Sequence, residues 1–207
     1  MFNAINKAAA SVPTKDRTAL DYVYLGKAAL VLGADPAGVL EKYYGVAKNF
    51  EARGENIPEG LLEAYLASGE LALLKDDYEK AGKEFQEAYK LSPNHPEVLY
   101  GLARAFMPSE RQVATGYLYR VIEEAPYHFG ALLMLAESAI KYERYDVAAE
   151  FLTEVESVNE RHPLAAAYRA VLVELEWNDR VGFELEREKA LSIWANNPEV
   201  DHLIGRV

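Results

Sequence analysis

The sequence predicts an all-α protein built as a stack of helix pairs, and the main evidence is a repeat period of about 34 residues. Small residues recur in two independent series with steps of 33 to 35 residues. The first series is Gly69, Ala103, Ala136, Ala170 and Gly205, and the second is Ala81, Ala114 and Ala148. Each period also holds two stretches with apolar residues three and four apart, and no alternating strand pattern competes with them. A fixed period of this length is typical of helical repeat arrays.

The unit at 62–95 shows how each element follows from local sequence. Apolar residues spaced three and four apart predict a first helix that extends to Leu74. Asp76-Asp77 interrupts this pattern, and an aspartate there can cap the next helix. A second amphipathic stripe begins at Tyr78 and ends at Ser92-Pro93, because a residue before proline disfavours the helical conformation. Each unit is therefore expected to run helix, tight turn, helix, tight turn.

The two series of small residues predict how the helices pack. Helices approach closely only where the side chains between them are small, so Gly69 and Ala81 mark contact points between neighbouring helices. A single helix pair cannot bury both of its apolar faces, whereas a stack of pairs can. We therefore expect a helical array with large side chains such as Phe85 filling the space beside each contact.

This pattern resembles the tetratricopeptide repeat (TPR) family. The resemblance is closest at 62–95, and there the family's large, small, aromatic and proline positions are Tyr65, Gly69, Tyr78, Ala81, Phe85, Ala88 and Pro93. It is looser in the other units, at 96–128, 129–162 and 163–197. The resemblance implies a right-handed α-α superhelix (solenoid) of about five helix-turn-helix pairs plus a partial terminal helix.

The two ends of the chain depart from the repeat. Residues 1–61 hold an atypical N-terminal pair, with 43 residues instead of about 34 between Gly26 and Gly69. Residues 198–207 have the phase of a new first helix, which is either the start of a further repeat or a short cap. We expect residues 1–207 to form a single helical repeat domain, and we favour a natural protein that continues beyond Val207.

Composition excludes several classes of partner. The net charge is −11 and no basic run is present, so the chain is not expected to bind nucleic acid or an anionic membrane surface. Cysteine is absent, which excludes disulfides, zinc–thiolate sites and cysteine nucleophiles. The N-terminus lacks the apolar core of a signal peptide, and no apolar stretch is long enough to span a membrane. The default expectation is a cytoplasmic location.

We expect no catalytic, metal or cofactor site. His95, His128 and His162 recur at one phase of the repeat, but packed helices lie about 10 Å apart, whereas a zinc–nitrogen bond measures about 2.1 Å. These histidines are therefore interpreted as polar residues of the turns between units. Acidic runs such as Glu123-Glu124 and Glu154–Glu156 are interpreted as solvated helix surface. The sequence holds no glycine-rich phosphate loop and no nucleophile elbow.

The two tryptophans are expected to have structural roles. Trp194 lies near the end of a second helix and is expected to pack between units. Trp177 lies at a turn, where packing against the turn is favoured over the alternative, an exposed anchor for a partner.

The resemblance also places a binding surface. In the family, the first helices of the pairs line a concave groove that holds a peptide or a helix of a partner. Transferred residue by residue, the groove positions in this chain are Lys27, Leu66, Glu70, Tyr100, Arg104, Leu133, Glu137, Lys141 and Tyr168. Less favoured members of the same set include Val23 and Ala167. Chaperone-binding members share a Lys, Asn and Arg clamp for a terminal carboxylate, and Val23, Leu66 and Glu70 do not supply it.

The function expected from these observations is that of a non-catalytic scaffold for protein–protein interaction, with a protein or peptide as partner. An alternative is that the chain is the TPR region of a longer enzyme or multidomain protein, such as a peptidase or transferase. A third possibility is self-association through the ends of the array.

Overall fold

The computed structural model describes residues 7, 11–50, 60–194 and 196–205, and within these ranges the regular elements are helical. After a short 3₁₀ turn at Thr14–Asp16, the helices are α1 (Ala19–Val31), α2 (Pro36–Val39), a π-helical turn (Leu40–Tyr44), α3 (Gly45–Lys48), α4 (Leu61–Leu73), α5 (Tyr78–Leu91), α6 (Pro96–Phe106), α7 (Arg111–Glu124), α8 (Phe129–Lys141), α9 (Tyr145–Val158), α10 (Pro163–Trp177), α11 (Arg180–Ile193) and α12 (Pro198–Ile204). The chain divides into two compact units, residues 1–120 and 121–207, and the boundary falls inside α7. The single-domain organisation inferred from the repeat period stays a prediction.

The first helix pair is irregular. Helix α1 begins at Thr18 with a capping box, in which Thr18 Oγ1 accepts from the backbone N–H of Asp21 at 3.2 Å and Asp21 accepts in return from the Thr18 N–H at 2.8 Å. Its partner is broken into α2, the π-helical turn and α3. The first pair therefore differs from the regular helix pairs that follow it.

The turn between α4 and α5 has the predicted chemistry. Asp76 adopts a left-handed conformation (φ 55°), and the Asp77 carboxylate accepts from the backbone N–H of Lys80 at 3.1 Å. Glu143 and Asn178 repeat the left-handed conformation in the equivalent turns of later pairs. Aspartate and asparagine tolerate this conformation better than most residues, and this suits Asp76 and Asn178 to these positions.

Small residues and one aromatic ring form the centre of residues 1–120. Phe85 of α5 is fully buried and packs with Ala81, Ala88, Val98 and Leu102. Burying an aromatic ring of this kind stabilises a fold by about 1.5–3 kcal/mol. The small residues that recur with the repeat period, such as Ala81, are thus among those that surround the Phe85 ring.

Polar contacts join neighbouring helix pairs in this unit. Arg120 of α7 donates to Tyr89 Oη at 3.0 Å, to the Pro93 carbonyl at 3.0 Å and to Asn94 Oδ1 at 3.1 Å. Lys48 of α3 forms an ion pair with Glu84 of α5 at 2.9 Å, with both side chains largely buried. The first set fixes the turn between α5 and α6, and the second ties the irregular first pair to the regular second pair.

Residues 121–207 have cores of the same kind. One cluster lies between α8, α9 and α10 and includes Leu132, Leu152 and Val155, and another includes Phe183, Val200 and Ile204. Arg169 of α10 pairs with Glu156 of α9 at 2.9 Å and donates to Thr153 Oγ1 at 2.8 Å. Among the described residues, no helix combines the length and apolar character required to cross a lipid bilayer.

Candidate functional site

A cavity of about 340 Å³ lies on the first-helix surface of residues 1–120. It is lined by residues of α1, the π-helical turn, α4 and α6, together with Leu74 at the end of α4. The lining residues are Lys27, Leu30, Tyr44, Leu66, Ala67, Glu70, Leu71, Leu74 and Glu97. Most are apolar, and the charged ones are Lys27, Glu70 and Glu97. Three predicted groove residues, Lys27, Leu66 and Glu70, therefore meet at one cavity.

Tyr44 is placed at this cavity by backbone geometry. It ends the π-helical turn Leu40–Tyr44, and such turns occur often at functional sites. Its ring lies against Gly26 of α1, where an added methyl group would overlap the ring and approach Tyr43 Cβ to 3.0 Å. Only 1% of the Tyr44 side chain is exposed, and this burial raises its pKa to about 12. We call this space the Tyr44 cavity.

Beside the Tyr44 cavity, Glu70 and Arg104 form an ion pair between α4 and α6. Arg104 Nη1 donates to both carboxylate oxygens of Glu70 at 2.8 Å. The guanidinium also lies 5.5 Å from the centre of the Tyr100 ring, a cation–π contact. The predicted residues Glu70, Tyr100 and Arg104 are thus in direct contact, and the Arg104 charge is already partnered. Lys27, in contrast, is exposed and forms no ion pair with a described residue.

A second cavity, of about 180 Å³, lies within residues 121–207 and is lined by Glu137, Ile140, Lys141, Tyr168, Val171, Leu175 and Leu203. Lys141 and Glu137 form an ion pair at 2.8 Å on α8. Tyr168 lines this cavity although it is only 8% exposed, and Leu133, also 8% exposed, packs in the core instead. Glu137, Lys141 and Tyr168 line this cavity, and Leu133 belongs to the same core cluster as Tyr168 without lining the cavity.

Two of the less favoured groove positions are core residues. Val23 and Ala167 are each 0% exposed. Both residues have the position along the repeat that predicts the groove-lining face of a first helix. Neighbouring helices cover part of that face, because each first helix is packed on more than one side. Neither side chain can contact a partner in this structure.

The recurring histidines occupy N-cap positions, and two of them, His128 and His162, cap the following helix through the side chain. His128 Nδ1 accepts from the backbone N–H of Ala131 at 3.1 Å, and His162 Nδ1 accepts from that of Ala165 at 3.4 Å. His95 occupies the same position before α6, but its Nδ1 is buried and makes no hydrogen bond. Burial lowers the pKa of His162, which also lies 5.4 Å, centre to centre, from the Phe129 ring. No group of three or more potential metal ligands occurs in the described part of the chain.

Both tryptophans correct the expectations drawn from sequence. Trp194 is 59% exposed where packing between units was expected, and Trp177 is 66% exposed where packing against the turn was favoured. Trp194 follows the last turn of α11 in an extended conformation (φ −147°), so its side chain leaves the apolar stripe of that helix. Trp177 is the last residue of α10, beyond the buried part of that helix.

Sequence reasoning missed Tyr44, Leu30 and Leu74 as residues of the Tyr44 cavity. Leu74 is 77% exposed, but its spacing continues the apolar stripe of α4 and therefore suggested core. Tyr44 lies in the irregular half of the first pair, to which the repeat period does not extend. The close pair Tyr43-Tyr44 was the available signal in the sequence, but it does not specify a π-helical turn.

The fold defined by these helix pairs is that of an all-α solenoid of helix-turn-helix units. Solved structures with a similar fold include TPR proteins. YrrB, described as a TPR protein with an unusual peptide-binding site, is similar with a TM-score of 0.61 and 18% identity over 98% of both chains. MamA from Desulfovibrio magneticus RS-1 has a TM-score of 0.65 and 18% identity over 84% of this chain and 94% of its own.

A third similar structure is the APC/C hetero-tetramer Cut9–Hcn1, with a TM-score of 0.76 and 15% identity over 99% of this chain and 40% of that one. No protein-family model matches the chain, and neither does any curated protein. At these identities the likeness shows the fold alone. The predicted TPR-like fold, an all-α superhelix, is thereby confirmed.

Proposed function

We propose that this chain is a non-catalytic scaffold that binds a peptide or helical segment of a partner protein on its first-helix surface. The observation that carries the proposal is the grouping of Lys27, Leu66 and Glu70 at one apolar cavity, with Tyr100 and Arg104 beside it. An apolar recess with a few charged groups at its rim can bury a side chain and fix the direction of a peptide. YrrB, a TPR protein of similar fold, is described as having a peptide-binding site, and this supports the same use of the fold.

The electrostatics of the surface favour a peptide over a nucleic acid. The whole chain carries a net charge of −11, which repels a phosphate backbone. The first-helix surface combines charges of both signs, Lys27 and Arg104 with Glu70 and Glu97. Such a mixture suits a zwitterionic backbone with mixed side chains better than a uniform polyanion. The proposal applies equally if the chain is the TPR region of a longer enzyme.

Site-specific photocrosslinking tests this proposal. A photoreactive residue at Lys27 or at Tyr100 should crosslink one partner from the native source, whereas the same residue at Gln86, exposed on the second helix α5, should not. Tyr100→Ala and Arg104→Ala should weaken recovery of that partner, and Tyr142→Ala, exposed at the end of α8, should leave it unchanged. Equal crosslinking from Lys27 and Gln86, or a partner retained by both groove variants, would show that binding occurs elsewhere.

A further inference from the structure

Two exposed aromatic side chains occupy the same position in successive repeat units. Tyr142 directly follows α8 and is 63% exposed, and Trp177 ends α10 and is 66% exposed. Each comes immediately before the left-handed residue of its turn, Glu143 in one and Asn178 in the other. The two turns therefore correspond, and each connects a first helix to the second helix of the same pair.

The two aromatic residues lie on one edge of the unit formed by residues 121–207. Helices α8 and α10 are in contact, and Lys141 and Leu175, close to the ends of these helices, line the same cavity. Because successive first helices run in the same direction, their last residues lie side by side, and packed helices are about 8–10 Å apart. An extended segment of about three residues covers that distance. We call this surface the aromatic edge, and its residues are Tyr142, Leu175, Trp177 and, at the start of α11, the exposed Val181.

The charges at the aromatic edge that have no partner are mainly negative. Lys141 is paired with Glu137 at 2.8 Å, so its charge is already balanced. Arg180 is likewise paired with Glu184 at 3.3 Å. The other charged residues of the two turns form no ion pair with a described residue, and they are Glu143, Arg144, Asp146, Glu176 and Asp179. All but Arg144 are carboxylates, so the edge attracts a cationic partner.

The two exposed rings are also free of cation–π contacts within the chain. Arg180 lies 4.5 Å from the centre of the Phe183 ring, which shows the contact that a guanidinium forms in this fold. Neither Tyr142 nor Trp177 has such a contact with a described cation. The faces of tryptophan and tyrosine rings attract guanidinium groups, and the aliphatic stem of an arginine packs well on apolar side chains.

We propose that the aromatic edge is a second docking surface, which binds an arginine-containing segment of a protein partner through cation–π contacts with Tyr142 and Trp177. Glu143 and Glu176, each next to one of the two aromatic residues in sequence, attract the guanidinium groups. Arginine suits this edge better than lysine, because a planar guanidinium stacks on a ring, whereas an ammonium is compact and more strongly hydrated. Binding here does not require a peptide on the first-helix surface, so the two surfaces serve different partner segments.

Titration of the whole chain with a tetra-arginine peptide with blocked ends tests this assignment. In Trp194→Phe, Trp177 is the sole tryptophan, so its fluorescence reports binding at the aromatic edge. We expect a saturable fluorescence change with tetra-arginine, weaker binding of tetra-lysine and no binding of tetra-glutamate. Tyr142→Ala in the same background should weaken tetra-arginine binding by about 2- to 5-fold, the effect of one exposed cation–π contact. Tyr127→Ala, 60% exposed in the turn before α8, should leave it unchanged.

Two charge variants separate the aromatic edge from the net charge of −11. Glu176→Gln and Glu160→Gln change the net charge equally, but Glu160 is exposed in the turn between α9 and α10, at the other ends of the helices. Affinity for tetra-arginine, measured by calorimetry, should fall more in Glu176→Gln than in Glu160→Gln. Equal losses in these two variants would assign the binding to overall charge and overturn the proposal.

Three further outcomes would overturn the assignment: no fluorescence change of Trp177, equal affinity for tetra-arginine and tetra-lysine, or equal losses in Tyr142→Ala and Tyr127→Ala. Tyr142→Ala also separates the two surfaces, since it should weaken tetra-arginine binding and leave recovery of the first-helix partner unchanged. Failure of tetra-arginine binding with successful crosslinking from Lys27 and Tyr100 would refute the aromatic edge alone, and the reverse pattern would refute the proposed function.

Discussion

The Phe85 ring is wedged between Gly69 and the next first helix. A methyl group added at Gly69 would lie 2.7 Å from Phe85 Cε1, well inside van der Waals contact, and one added at Gly101 would overlap the same edge of the ring, at Cε1 and Cζ. The absence of a side chain at both glycines therefore makes room for the same edge of the Phe85 ring. Three helices, α4, α5 and α6, are held at this point by one aromatic side chain and two residues that lack Cβ.

Gly69→Ala is expected to destabilise the chain by about 1–3 kcal/mol, because the overlap with Phe85 outweighs the better helix propensity of alanine. The free energy of unfolding in urea measures the effect. Gly116→Ala is the matched control, since Gly116 is exposed on α7 and a Cβ there would meet nothing within 4 Å. That control should be neutral or stabilising by up to about 1 kcal/mol. Equal changes in the free energy of unfolding for Gly69→Ala and Gly116→Ala would contradict the close contact between Gly69 and the Phe85 ring.

The Phe85 contact was largely accessible from the sequence. The small residues at Gly69 and Ala81 recur with the period, and a period that places small residues opposite a large one specifies a packing contact. The Tyr44 cavity was not accessible in the same way. It depends on a π-helical turn in the irregular first pair, where the repeat period gives no guide, and on the contact of the Tyr44 ring with Gly26 of another helix.

For the groove residues too, the sequence of one helix predicts which face a residue lies on, but not whether a neighbouring helix covers that face. The face of a first helix can be assigned from its phase, and Lys27 and Glu70, two residues of that face, line one cavity. Whether another helix covers that face depends on the neighbours, and this is why Val23 proved to be a core residue. For the Glu70–Arg104 pair, the sequence showed only that two opposite charges occupy the same position in successive repeats, 34 residues apart; it did not predict their contact.

The Glu70–Arg104 pair should contribute modestly to stability. Both side chains are partly exposed, 44% for Glu70 and 31% for Arg104, so solvent screens their attraction. A double-mutant cycle with Glu70→Ala and Arg104→Ala should give a coupling energy of about 0.2–1 kcal/mol in urea unfolding. The coupling should fall as salt is raised. A coupling above about 3 kcal/mol would indicate a buried, structural ion pair instead.

The histidine caps should differ in their effect on stability. His162→Ala removes a cap hydrogen bond and is expected to cost about 0.5–2 kcal/mol. His95→Ala removes a side chain whose Nδ1 makes no hydrogen bond, so its effect should stay within about 0.5 kcal/mol. The two variants share residue type and helix position, and urea unfolding of both compares the caps directly. A larger loss at His95 than at His162 would contradict this assignment of roles.

Acidification should weaken the fold through His162. Burial lowers its pKa in the folded chain, so the unfolded chain takes up the proton first as pH falls below about 6.5. The stability from the neutral imidazole is thus complete above that pH and is lost progressively as pH falls toward the lowered folded pKa. His162→Asn keeps a good capping group that does not titrate. The urea midpoint of unfolding should decrease between pH 7.5 and pH 5.5, and this decrease should be smaller in His162→Asn than in the unmodified chain.

A peptide with an acidic C-terminus should not bind well to the first-helix surface. Glu70 stands beside Lys27 at the Tyr44 cavity and holds Arg104 in an ion pair, so one cation is engaged and a carboxylate repels the incoming group. Calorimetric titration should give a dissociation constant above about 1 mM, which corresponds to less than about 4 kcal/mol of binding. Micromolar affinity for such a peptide would contradict this interpretation of the surface.

The same argument predicts how carboxylate binding could be created. Glu70→Gln removes the repelling charge and releases Arg104, which leaves two cations, Lys27 and Arg104, on the first-helix surface. Affinity for the acidic peptide should rise several-fold and should decline again with added salt, because the gain is electrostatic. Glu79→Gln is the matched control: it also frees a basic partner, Lys83, but on the exposed face of α5. Since net charge changes equally in both variants, a gain in Glu79→Gln as large as that in Glu70→Gln would assign the effect to overall charge and not to this surface.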